Sequence, residues 1–236
     1  MNLHWLVSGQ DGGRLILVFN GFAMDENPWR IWPQPKASSL AFVGGYQNLF
    51  EPLEVSDLAR LRSFSRVDVI AWSLGVWVYS TVASAWALPP GKRVAVNGTL
   101  NPLNAQWGIP PAIFALTRKT FSVETRETFY RRVCGSEEVW AHFQRHAPLR
   151  LAEDQAGELA VLHEVLQNTA SFVPPEQARQ FFSSVIIGAK DLIMPPAAQR
   201  RYWHGGREVD AGHFLFHLWP SWEAFLASPE DTVHAV

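Results

Sequence analysis

The chain has 236 residues, 47% of them apolar and 18% charged, with a formal net charge of −2. That length supports one substantial core, the composition excludes a disordered chain, and the charge balance gives no global reason to bind nucleic acid. The single cysteine, Cys134, excludes an intrachain disulfide and a cysteine-rich zinc site.

Residues 1–9 lack a cationic flank and a long apolar run, so no signal peptide is expected. No window is apolar for long enough to span a bilayer, and a soluble, monomeric, cytoplasmic protein is expected. Residues 3–7 and 14–19 read as short strands, with Asp11-Gly12-Gly13 as a hairpin turn between them. The second strand runs into Asn20-Gly21-Phe22, a small polar residue and a glycine at a strand end. Residues 40–43 predict a third strand and 55–63 a short helix. The apolar run Val67-Asp68-Val69-Ile70-Ala71-Trp72 predicts a buried strand, followed by a helix over 73–87 that Pro89-Pro90 ends. Residues 94–96 form the next strand.

From 101 to about 169 strand-like runs give way to helical patterns, with Ser122 and Ser136 as helix N-caps and a third helix over 154–166. Strands resume at 182–187, a helix opens at Pro195-Pro196, a last strand covers 207–209, and a closing helix spans 219–226. Strands alternating with helices predict an α/β protein whose mostly parallel sheet is covered on both faces. Its core comprises 1–100 and 180–236, and 101–179 form a helical cap insertion. The eleven tryptophans point to large apolar surfaces, in the core or around an apolar ligand.

Ser73 carries the chemistry. Small residues stand two before it (Ala71) and two after it (Gly75), the pattern of a nucleophile elbow between a strand and a helix. A serine hydroxyl needs a base, and the base needs an acid to orient it. Asp191 follows an apolar strand and His213 follows the last one, so all three residues converge on the carboxyl edge of the sheet. His204, His217 and Asp210 are weaker competitors for the same roles. The oxyanion requires two backbone N–H donors, assigned to Leu74, right after the nucleophile, and Phe22, after the early strand. The scattered histidines give no metal site, and no cofactor is called for.

Residues 117–150 carry seven basic side chains against four glutamates, whereas 151–170 carry four acids and no Lys or Arg. A basic face near the site would attract an acidic partner.

Phe19-Asn20-Gly21-Phe22 with Met24-Asp25, Ala71-Trp72-Ser73-Leu74-Gly75-Val76-Trp77, Asn97-Gly98-Thr99, Asp191 and Gly212-His213 together resemble the α/β-hydrolases. More closely, they resemble the BioG family of pimeloyl-[acyl-carrier protein] methyl ester esterases. Two departures from the common hydrolase pattern are Ala71, in place of the first elbow glycine, and Asn20, in place of a histidine. The resemblance implies a serine carboxylesterase that hydrolyses the methyl ester of pimeloyl-[acyl-carrier protein] at the end of pimelate assembly for biotin. It also implies acyl-carrier protein as partner; an apolar, tryptophan-rich channel would suit the methylene chain, and basic cap residues the acidic carrier. Arg118, Lys119, Arg131 and Arg132 are the candidate carrier contacts. Another small-ester, thioester or C–C bond hydrolase and a non-catalytic ligand-binding protein are the rival readings.

Overall fold

A computed structural model describes residues 1–7, 12–49, 51–168 and 172–227. The chain begins with β1 (Asn2–Val7), β2 (Arg14–Phe19), β3 (Ser38–Gly44), α1 (Val55–Ser63), β4 (Arg66–Trp72) and α2 (Leu74–Trp86). After β5 (Arg93–Val96) it runs through α3 (Pro111–Thr120), α4 (Arg126–Cys134), α5 (Glu137–Phe143), α6 (Ala152–Asn168) and α7 (Pro175–Ala178). It returns to the sheet with β6 (Ser184–Gly188), followed by α8 (Pro196–Trp203), β7 (Arg207–Val209) and α9 (Trp222–Ala227).

The strands form one sheet in the order β1-β3-β2-β4-β5-β6-β7, parallel throughout except for β1. β2 and β4 are nearly continuous apolar runs, buried on both faces along almost their whole length. Such strands cannot face water, so helices must cover the sheet on either side. β2 leads to β3 on one side of it, while β4 lies on its other side. The connections diverge there, leaving a crevice above the carboxyl ends of β2 and β4. Phe19 is level with Ala71, and Ala71 with Ala95, so three strands end at one height beneath that crevice.

The hairpin expected between the first two strands does not form. β1 lies antiparallel to β3, with Asn2 opposite Gly44, and β3 stands between it and β2. β2 already has parallel partners on both sides, which leaves no edge for β1 to join. The half-exposed pattern of β1 is that of an edge strand. Asp11 of the expected turn lies outside the described residues.

Ser136 caps α5 as its sequence predicts, its hydroxyl accepting the N–H of Val139 at 3.2 Å. Ser122 does not cap α4, which starts at Arg126 after Thr125. Instead Ser122 donates its N–H to Thr125 Oγ1 and its hydroxyl to Glu124, a local turn that competes with the helix. α3 is not among the helices that the sequence predicts individually. Pro111 occupies the first turn, where a missing N–H costs nothing.

Trp29, Trp32, Trp72 and Trp222 pack ring against ring around Phe216. The tryptophans therefore serve mainly as core.

Candidate active site

Ser73 joins β4 to α2 with φ 58° and ψ −125°, a conformation that L-residues rarely adopt. The turn is tight because α2 starts directly against the neighbouring strand. A Cβ at Gly75 would stand 2.6 Å from the Asn20 carbonyl oxygen and closer still to that of Phe19. A larger residue at either flank would push the helix away from the sheet. Gly21 matters for a different reason: a Cβ there would sit 3.1 Å from Ser73 Cβ and 3.6 Å from Ser73 Oγ.

Asp191 sits in the turn after β6, its N–H donated to Gly188 O. One carboxylate oxygen, Oδ1, accepts the N–H groups of Ile193 at 2.7 Å and Met194 at 2.9 Å. The other, Oδ2, faces His213 Nδ1 at 2.7 Å and accepts from Gln199 Nε2 at 3.2 Å. The His213 and Asp191 side chains are only 2% and 0% exposed. With a carboxylate opposite it, Nδ1 donates, and Nε2 is left as the acceptor.

His213 follows β7, and its backbone is pinned as firmly as its ring. Its carbonyl accepts Trp72 Nε1 at 3.0 Å and Asn97 Nδ2 at 2.9 Å. Asn97 also donates to Gly212 O and accepts the Gly188 N–H at 2.6 Å. One wholly buried amide at the end of β5 thus ties together the two loops that carry Asp191 and His213.

Ser73, His213, Gly21, Phe22 and Leu74 open onto one narrow cavity, walled by Met24, Trp72, Ile109, Phe114, Leu159 and Ile193. Leu74 is the first residue of α2, so its N–H has no carbonyl one turn back to bond. Among the described residues Trp72 is the one tryptophan on this wall, and the expected tryptophan-rich channel is instead lined by Phe, Ile, Leu and Met. The competing residues lie elsewhere. His204 ends α8, His217 bonds Phe214 O through Nδ1, and exposed Asp210 pairs with Lys190. Cys134 is buried, and that burial pushes its thiol up to about 12.

The four basic candidates part company. Arg118 and Lys119 are exposed in the last turn of α3. Arg132 lines the cavity and bonds Leu192 O. Arg131 is already committed to Glu127 and Glu137, with its guanidinium over Trp140. Ile113, Thr117, Phe129 and Arg132 line both the cavity and a groove between α3 and α4, so the groove leads inward.

Sequence reasoning assigned no role to Asn97 or Gln199. Asn97 ends a buried strand beside Gly98, a usable signal; Gln199 lies within a helix, where nothing marks it. No described helix is long and apolar enough to cross a membrane. Among the described residues no group of His, Cys, Asp or Glu is placed to hold a metal ion.

A family model described as pimeloyl-ACP methyl esterase BioG matches residues 3–225. A malonyl-[acyl-carrier protein] O-methyltransferase of Bacteroides fragilis (strain 638R) is 34% identical over 188 residues, which are 80% of this chain and 36% of that protein. The chain therefore spans about a third of that relative's length. The crystal structure of BioG from Haemophilus influenzae superposes with a TM-score of 0.81 at 26% identity, covering 96% of this chain and 100% of that one. The enol-lactonase of Burkholderia xenovorans LB400 superposes with a TM-score of 0.58 at 16% identity over 89% of each chain, a likeness of fold alone. The fold is that of the α/β-hydrolases.

Proposed function

The chain belongs to the BioG family of pimeloyl-ACP methyl esterases, and from that premise we propose that it is a serine esterase cleaving the methyl ester of a pimeloyl chain carried on acyl-carrier protein. The reading places it at the end of pimelate assembly for biotin, with residues 101–179 as the cap over the site. The observation that carries it is the convergence on one cavity of a serine held at positive φ and a buried His213–Asp191 pair.

In this reading His213 Nε2 takes the proton of Ser73 as Oγ attacks the ester carbonyl. The carbonyl oxygen gains the negative charge and is held by the N–H groups of Phe22 and Leu74. Collapse breaks the C–O bond, His213 returns the proton, and methanol leaves. Water then attacks the acyl-serine with His213 again as base; the bond between Ser73 Oγ and the acyl carbon breaks, His213 returns the proton to Oγ, and the free carboxylic acid departs. Asp191 holds the imidazole in the required tautomer and stabilises the imidazolium.

The narrow apolar cavity suits a chain of methylenes better than a bulky or polar acyl group. The α3–α4 groove offers such a chain a way to the surface, where Arg118, Lys119 and Arg132 present positive charge to an acidic carrier. The relative from Bacteroides fragilis adds that a chain with a matching third is named for work on a carrier-bound acyl group.

Alkyl fluorophosphonate labelling with peptide mapping tests the serine chemistry. One phosphonyl group on Ser73, absent from Ser73→Ala, is expected. An unlabelled wild-type protein contradicts the esterase reading and favours a ligand-binding one.

A further inference from the structure

The loop that carries Phe22 is held from the helical segment as well as from the sheet. Ala23, the next residue, has φ 69°, which an alanine adopts only when its surroundings impose it. Its two polar groups are gripped from α6. Gln155 Nε2 donates to Ala23 O at 2.7 Å, and the Ala23 N–H donates to Glu158 Oε2 at 3.3 Å. Gln155 and Glu158 stand three residues apart, hence on one face of the helix, and both are wholly buried. Glu158 also accepts the N–H of Tyr46 at 2.9 Å and pairs with Arg150. Farther along the loop Asp25 accepts the N–H of Leu149 at 2.6 Å, and Asn27 Nδ2 donates to Ala147 O at 2.7 Å. A buried ion pair is a poor source of stability. What this one supplies is a fixed backbone at Ala23.

We infer that Glu158, together with Gln155, is a positioning residue for the oxyanion hole: from α6 it holds the Ala23 peptide in place and so aims the adjoining Phe22 N–H at the space beside Ser73. The inference rests on the esterase reading above. It gives α6 a part in catalysis although neither side chain touches substrate.

The test compares wild type, Glu158→Gln, Gln155→Met and Ser73→Ala, with p-nitrophenyl butyrate as substrate and n-butylboronic acid as ligand. The boronate forms a tetrahedral adduct on the serine, with one oxygen in the hole. Glu158→Gln puts an amide where three donors converge; Gln155→Met removes the grip on the carbonyl, and with it the bond to the Tyr130 hydroxyl, but leaves the ion pair, so it keeps the test open should the first variant not fold. For a folded variant kcat falls about 10- to 100-fold with KM within about twofold, and the boronate Kd rises by the same factor as kcat falls. A merely structural role would not couple those two readouts at constant KM. Folded variants with wild-type kcat and boronate affinity overturn the inference alone. A wild-type protein no faster than Ser73→Ala overturns the esterase reading, and the inference with it.

Discussion

Asp191 Oδ2 and His213 Nδ1 meet at 2.7 Å although their loops leave different strands, β6 and β7. The two oxygens of Asp191 have separate duties. Oδ1 closes its own turn by accepting two backbone N–H groups, and Oδ2 is left for the imidazole. Asn97 then bridges the same two loops from beneath, through Gly188, Gly212 and His213.

This division of labour makes Asp191→Asn informative. The amide oxygen must take the Oδ1 position, where two N–H groups need an acceptor, so the NH2 turns toward His213. Nδ1 is then forced to accept, and the proton moves to Nε2. Gln199 Nε2 loses its acceptor on Asp191 but keeps its bond to Met194 O. The variant folds, and kcat for ester hydrolysis falls by about 10^4-fold, the size of a tautomer error in such a triad. Steady-state kinetics with a short ester checks this; a loss below tenfold contradicts the role given to Asp191.

Ser73 is strained, and relieving the strain should stabilise an inactive protein. A residue outside its favoured φ/ψ regions costs on the order of 1–3 kcal/mol, whereas glycine escapes most of that at about 0.4–1 kcal/mol of extra unfolded-state entropy. Ser73→Gly is therefore expected to exceed Ser73→Ala in stability by about 1 kcal/mol, with both inactive. Urea denaturation measures the difference, and equal midpoints would show that the elbow stores no strain.

Asn97→Ala strips partners from two buried carbonyls and a buried N–H and leaves alanine at φ 46°. A loss of about 3 kcal/mol is expected, together with reduced kcat as the His213 loop loosens. Thermal and urea unfolding test the first effect and turnover at low temperature the second. Unchanged stability would mean that water replaces the amide without penalty.

The basic residues differ in availability, and so should their effects. Arg118→Glu with Lys119→Glu is expected to raise KM for a carrier-bound ester about tenfold, with small-ester kinetics unchanged and the difference fading in high salt. Arg131→Gln has a smaller effect because that charge is neutralised by Glu127 and Glu137. Equal losses on both kinds of substrate would sink the docking surface.

Periodicity and punctuation marked the central strands, the elbow and the helix α2 that leaves it, because continuous apolar runs and a small-x-Ser-x-small spacing have few alternative meanings. Asp191 and His213 could be picked out by their places after strands, the surroundings in which the structure sets them. The pairing of β1 was not legible: the hairpin reading was local, while the choice of β3 depends on β2 having no free edge. α3 has no capping serine to mark its start, which falls on a proline pair. The tryptophans pointed to apolar surface without saying where, and packing put most of them in the core. Glu158 is one of four acids in residues 151–170, and nothing in the sequence sets it apart from the others; only the folded chain sets it against Ala23.

The most direct test of the account is kcat/KM for the pimeloyl methyl ester on acyl-carrier protein against that for p-nitrophenyl butyrate, with Ser73→Ala as blank. Binding energy from the carrier and the methylene chain, spent at a distant ester, predicts a preference for the carrier-bound substrate of about 100-fold or more, abolished in the blank. Comparable efficiency on the two esters, or no methanol released from the carrier-bound one, would contradict it.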